Sequence, residues 1–97
     1  MNRVEYVAKI KAFGIKVGDI LLVKEYFTRK DGYPDCITYH GDVTEVLENQ
    51  FHMNGNLSGA WVPFSLRSSI GVGGYFVIES INGTQLLNDD GTWRAQS

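Results

Sequence analysis

The sequence contains few of the residues that cross-link or bend a chain. Of its 97 residues, one is cysteine, Cys36, and two are proline. A single thiol has no intrachain disulfide partner, so a packed core must hold the fold. The longest apolar run, residues 20–23, is far shorter than the roughly 18 residues of a membrane-spanning helix. With no apolar leader segment behind the N-terminus, we expect a cytoplasmic protein that has no membrane partner.

Phosphate-binding motifs are also missing. The stretch from Ser68 to Gly74 contains three glycines and two serines, which raises the question of a phosphate cradle. A dinucleotide or P-loop site needs glycines between a strand and a following helix, in the pattern GxGxxG or GxxxxGK[ST]. Here neither pattern is present and the glycines precede a predicted strand. The stretch therefore predicts a bulge, a tight corner or a mobile loop.

The candidate metal ligands and nucleophiles are few and badly spaced. Cys36 and His40 share one face of a predicted strand, but four residues of a straight strand span about 13 Å, too far for one zinc ion. Neither they nor His52 stand in a catalytic motif. We expect no metal, no cofactor and no enzymatic activity.

What the chain does contain is apolar and aromatic residues. They form 43% and 12% of the sequence, which is typical of a folded protein, and the length predicts a single domain over residues 1–97. Between residues 3 and 12 the even positions are apolar and most odd ones charged. This alternation favours a half-buried strand, with a short helix as the alternative.

Short β-branched and aromatic segments recur at about ten-residue spacing, separated by turn residues. Pro63 predicts an edge strand or a bend in the segment 60–66. The pattern predicts an all-β fold of about seven or eight short antiparallel strands. The segments 15–23 and 43–53 resemble strands of SH3-like barrels, with a hydrophobic-Gly-Asp entry into one strand followed by a hairpin. The resemblance implies a small SH3-like or related β-barrel, an architecture that serves many functions. The predicted segments cover residues 3–12, 20–27, 36–40, 43–47, 51–53, 60–66, 75–81, 84–87 and 92–94, and they make eight strands if the chain only bulges at residues 41–42 between the third and fourth segments.

Aromatic residues next to loops suggest a binding surface, because such groups often anchor protein interfaces. The alternative is that the two tryptophans close the ends of a barrel. Our first hypothesis is a non-catalytic module that binds a partner protein as a subunit, an adaptor or a small inhibitor, for instance one encoded by a phage. The candidate contact residues are Tyr33, Tyr39, Trp61, Trp93, Arg29 and Lys30.

The second hypothesis is nucleic-acid binding through the basic N-terminal third. Residues 1–30 contain seven basic and three acidic residues, whereas residues 31–97 contain two basic and eight acidic residues. The overall pI of about 5.5 argues against such binding. This charge asymmetry also leaves homo-oligomerisation open. The candidate nucleic-acid contacts are Lys9, Lys11, Lys16, Arg29 and Lys30.

Overall fold

The structure, a computed structural model, describes residues 3–55, 59–70, 73–86 and 88. It is mainly β, as predicted, with one helix. The elements are α1 (Arg3–Phe13), β1 (Ile20–Thr28), β2 (Pro34–Val46), β3 (Gln50–Asn54), β4 (Gly59–Pro63), β5 (Tyr75–Ile81) and β6 (Thr84–Gln85).

The strands form one antiparallel sheet in the order β4-β3-β2-β1-β5-β6. The long strand β1 is central and pairs with β2 on one side and with β5 on the other. Six strands, and not seven or eight, are present in the described residues. There the sheet is open, with β4 and β6 at its two edges, so the predicted closed barrel is not confirmed.

The N-terminal segment is a helix, so the favoured prediction of a strand over residues 3–12 is wrong. Tyr6 and Ile10 lie one helical turn apart and are both buried, with 7% and 0% of their surface exposed. One alanine and one lysine lie between them, and both residue types favour a helix. Gly14 follows with a φ of +80°, the conformation that commonly ends a helix.

The core lies on one face of the sheet, which we call the inner face. In β1, Leu21 and Val23 are fully buried, and in β3, Phe51 and Met53 are too, as their alternation predicts. His52, between the last two, points to the opposite, outer face and is half-buried. The buried apolar residues are Tyr6, Ile10, Ile15, Leu21, Val23, Val43, Phe51, Met53, Val62, Phe64, Leu66, Phe76, Ile78, Ile81 and Leu86.

After β4 the chain turns and returns to the sheet beside β5. The predicted strand 60–66 ends at Pro63, because a turn follows in which the Leu66 amide donates to the Pro63 carbonyl at 2.8 Å. The Phe76 amide then donates to the Leu66 carbonyl at 2.7 Å. This return path leaves the far side of β4 without a strand neighbour among the described residues, as the proline predicts for an edge.

No helix in the described part of the chain is long and apolar enough to cross a lipid bilayer.

Candidate functional site: a cleft beside the edge of β4

The edge strand β4 presents backbone groups that do not bond to β3. The Phe64 amide donates to the Asn49 carbonyl at 2.9 Å, and the register places Phe51 opposite Val62. Because bonded and non-bonded pairs alternate in an antiparallel ladder, the N–H and C=O of Trp61 point away from β3. The backbone of Pro63, two residues further along β4, also points away from β3. The missing N–H of this proline therefore removes no hydrogen bond from the pairing of β3 with β4.

A cleft of about 420 Å³ lies between this edge and the segment 67–70. The edge contributes residues 59–61 and Pro63, and the returning chain contributes Arg67, Ser69 and Ile70. Glu25, Tyr39 and Phe76 belong to the inner face of the sheet and also line the cleft. The cleft therefore joins an exposed strand edge to a carboxylate that the sheet supplies.

Glu25 is 3% exposed although it carries an ionisable group. It follows Leu21 and Val23 on the inward-facing positions of β1. Tyr39 donates a hydrogen bond to its Oε1 atom at 2.8 Å, and Ser68 donates to its Oε2 atom. Burial, together with this bond and the nearby carboxylate charge, raises the pKa of Tyr39 to about 12. The phenol thus remains a hydrogen-bond donor to Glu25 at neutral pH.

Ser68 fixes the wall of the cleft that faces β4. Its hydroxyl accepts the Ile70 amide at 3.0 Å while it donates to Glu25. Gly74 packs against the same serine, since a Cβ at Gly74 would lie 2.9 Å from the Ser68 Cβ. Gly74 is thus a close-packed approach to β5, whereas Gly73 before it has a φ of +67° and open space around it.

Trp61 lies on the outer face of β4 and is 45% exposed. Its ring meets the His52 ring edge-on, with the centroids 4.9 Å apart. The His52 Nδ1 atom lies 2.6 Å from the Thr44 hydroxyl, which ties this pair to β2. Trp61 is therefore held in place from one side while much of its surface remains open to solvent.

The other predicted contact residues lie at the tip of the β1–β2 hairpin. Tyr33 is 65% exposed, and the Arg29 guanidinium carbon lies 5.8 Å from the centre of its ring. Arg29 also pairs with Asp31 at 2.6 Å, which lowers the pKa of that carboxyl. Lys30 is exposed in the same turn. The structure thus divides the candidates: Tyr39 and Trp61 line one cleft, and the remaining described ones form the hairpin tip. Trp93 lies outside the described residues.

The basic residues of the nucleic-acid hypothesis lie on separate elements. Lys9 and Lys11 are exposed on α1, and Lys11 lines a different cleft of about 350 Å³ beside Val46 and Phe64. Lys16, after the helix, pairs with Asp19 at 3.4 Å. Lys16 and Arg29 are thus paired with acids.

The described residues contain no group of three or more His, Cys, Asp and Glu side chains that could hold a metal ion. Cys36 is exposed on β2, and it and His40 stand four positions apart along that strand.

Sequence reasoning missed Glu25 and Ser68 as parts of this site. A signal for Glu25 is present, because it continues the alternation of Leu21 and Val23, where a third apolar residue would be expected. No local signal indicates Ser68, which is 43 residues from Glu25 and reaches it only through the fold.

Comparisons with protein-family models, with curated proteins and with solved structures give no match to this chain, so its function must be argued from its own geometry.

Proposed function

We propose that the chain is a non-catalytic interaction module that binds a partner protein at the edge of β4. The observation that carries the proposal is the combination of an open strand edge, an exposed tryptophan on it and a cleft beside it. Strand edges supply backbone hydrogen bonds to extended peptides, and adjacent pockets supply specificity. Tryptophan is among the residues that most often dominate interface energies.

The finer architecture that we propose is related to the SH3-like barrels. The support is the succession of β1 to β4 as a meander, a turn after β4, and β5 paired with β1. This arrangement leaves an edge and a cleft together on one side of the molecule. As in the sequence-based hypothesis, the module could serve as a subunit, an adaptor or an inhibitor.

Nucleic-acid binding is the weaker hypothesis. Proteins that bind nucleic acid generally collect unpaired basic groups on one surface. Here Lys16 and Arg29 are each paired with an acid, and the whole chain has a net charge of −2.

The test is a selection of random peptides displayed on phage against the immobilised protein. Selected peptides are then measured by calorimetry against the wild type, Trp61→Ala and a control, Thr38→Ala, on the same face of the sheet. We expect Trp61→Ala to weaken binding by about tenfold or more, as for the central residue of an interface, and the control to leave it unchanged. Peptides that bind all three proteins equally, or a selection that enriches none, would contradict the proposal.

A further inference from the structure

We infer that the cleft beside β4 takes an arginine side chain from an extended peptide that adds to the sheet as a further strand, an inference that rests on the proposed function. Glu25 would accept the guanidinium, and the backbone of Trp61 would pair with the peptide backbone. The partner is thus a basic extended segment of another protein.

Glu25 lacks a cationic partner in the described part of the chain. Its side chain is almost completely buried, and buried carboxylates normally have a cationic partner. Among the residues that the structure describes, no lysine, arginine or histidine nitrogen lies within 4.0 Å of it. The hydroxyls of Tyr39 and Ser68 stabilise the carboxylate but leave its charge uncompensated. A cation that entered the cleft would supply the missing charge.

The Glu25 carboxylate also has hydrogen-bond acceptor sites that Tyr39 and Ser68 do not use. A carboxylate has about four lone-pair sites, two on each oxygen. Within the described part of the chain, Tyr39 uses one site on Oε1 and Ser68 uses one on Oε2, which leaves one site on each oxygen. A guanidinium donates two parallel N–H bonds to the two oxygens of one carboxylate, whereas an ammonium group acts as a point charge. The remaining sites match arginine better than lysine.

A peptide that pairs with β4 would present side chains to both faces of the sheet. Successive side chains of a strand point to opposite faces, so every second residue of a peptide on β4 would point to the inner face, where Glu25 lies. The residues between would lie on the outer face beside the exposed Trp61. Aromatic rings of Tyr39 and Phe76 line the same cleft, and their faces attract a cation. Arg67, which also lines the cleft, is exposed, so water screens its opposing charge.

The experiment uses a blocked pentapeptide with a central arginine, a valine on each side of it and a threonine at each end. A matched peptide carries citrulline, which has the shape of arginine without its charge. Each is titrated into isotope-labelled wild-type protein and followed by NMR. We expect amide shifts at residues 59–62 and an affinity about tenfold or more higher for the arginine peptide. Equal affinity of the two peptides, or shifts confined to other surfaces, would overturn the inference.

Two pairs of proteins test the two contacts separately. Glu25→Gln keeps the shape of the side chain and should abolish the preference for arginine; a preference that survives would contradict the role of Glu25.

Trp61→Pro removes the N–H that points away from β3, whereas Trp61→Val keeps this N–H and loses the same ring. β4 tolerates proline at a position whose backbone groups point away from β3, since Pro63 occupies such a position. We expect Trp61→Pro to bind more weakly than Trp61→Val, and equal binding would contradict strand addition. If Glu25→Gln does not fold, the comparison of the arginine and citrulline peptides and the comparison of the two Trp61 variants still test the inference.

The experiments distinguish a failure of this inference from a failure of the proposed function. If the phage selection yields peptides that require Trp61 but show no enrichment of arginine, the β4 edge is a binding site of other specificity. If no peptide binds there in either experiment, both proposals fail.

Discussion

The hydroxyl of Tyr6 replaces a missing strand neighbour at one position of β5. It donates to the Ile78 carbonyl at 2.8 Å and accepts the Ile78 amide at 2.7 Å. On the same edge of β5, Phe76 bonds to Leu66 on one side and Ser80 pairs with Gln85 on the other. Tyr6 thus fills the gap between these two pairings and attaches α1 to the sheet. The change Tyr6→Phe removes this one oxygen and leaves the buried ring in place.

The expected cost follows from the two backbone groups that lose their partner. Each buried group left without a hydrogen bond costs about 1–3 kcal/mol, so we expect Tyr6→Phe to lower the free energy of unfolding by about 2–6 kcal/mol. The total for a domain of this size is about 5–15 kcal/mol. The melting temperature should fall by about 8 °C or more, since each kcal/mol corresponds to about 4–8 °C.

Urea denaturation followed by circular dichroism measures this change, with the slope of the transition checked for equality between variants. The control is Tyr33→Phe, at a ring that is 65% exposed, which should change the stability by less than about 0.5 kcal/mol. If Tyr6→Phe were as mild as this control, the hydroxyl would not be what joins the helix to β5.

Three further predictions concern the sheet and its ionisable groups. Gly41→Ala should destabilise by about 2 kcal/mol or more, because its Cβ would lie 1.6 Å from the Asn54 carbonyl oxygen; unchanged urea denaturation would contradict the close approach of β2 and β3. Because the pKa of Tyr39 is raised, its protonated form stabilises the fold below pH about 10, and this stabilisation is lost as the pH rises towards 12. Tyr39→Phe should therefore flatten the decline of the melting temperature at alkaline pH, and an equal decline in the variant and the wild type would contradict the prediction. Burial alone would raise the pKa of Asp19, but hydrogen bonds from the Lys16 amide and from the Asn82 side chain lower it. The contribution of Asp19 to stability is therefore present above pH about 4 and is lost as the pH falls below that value. Asp19→Asn should therefore lower the melting temperature more near pH about 7 than near pH about 2, and equal losses would contradict the prediction.

The sequence predicts the strands better than it predicts their closure. The alternation of β3 places Phe51 and Met53 in the core and His52 outside, because each residue of a strand faces opposite to the one before. Pro63 marks the edge, since it cannot donate a ladder bond. Whether the sheet closes depends on twist and on contacts between distant segments, which no local pattern encodes.

The N-terminal segment shows why alternation can mislead. The buried pair Tyr6 and Ile10 lies four residues apart, a spacing that fits both a strand of period two and a helix of period 3.6. Apolar residues at the other even positions make the strand interpretation look continuous, and only Val7 departs from the alternation. The glycine that follows the helix at position 14 was the signal that favoured the other choice.

The candidate site could be predicted only in part. Trp61 and Tyr39 were identified from residue type and position, and the structure places both beside one cleft. The carboxylate at its base was not identified, because the meaning of Glu25 depends on its hydroxyl partners at Tyr39 and Ser68. Those contacts arise from the pairing of β1 with β2 and from the return of the chain beside β5.

The most direct test of the central claim is a comparison of two NMR titrations of the same labelled protein. One uses a peptide from the phage selection, and the other uses a pool of single- and double-stranded oligonucleotides at low and at moderate salt. We expect the peptide to shift the amides of residues 59–62 and of Tyr39, and the oligonucleotides to shift nothing at high micromolar concentration. Shifts that weaken steeply with salt and cluster on Lys9, Lys11, Lys16, Arg29 and Lys30 would contradict the claim and establish nucleic-acid binding instead.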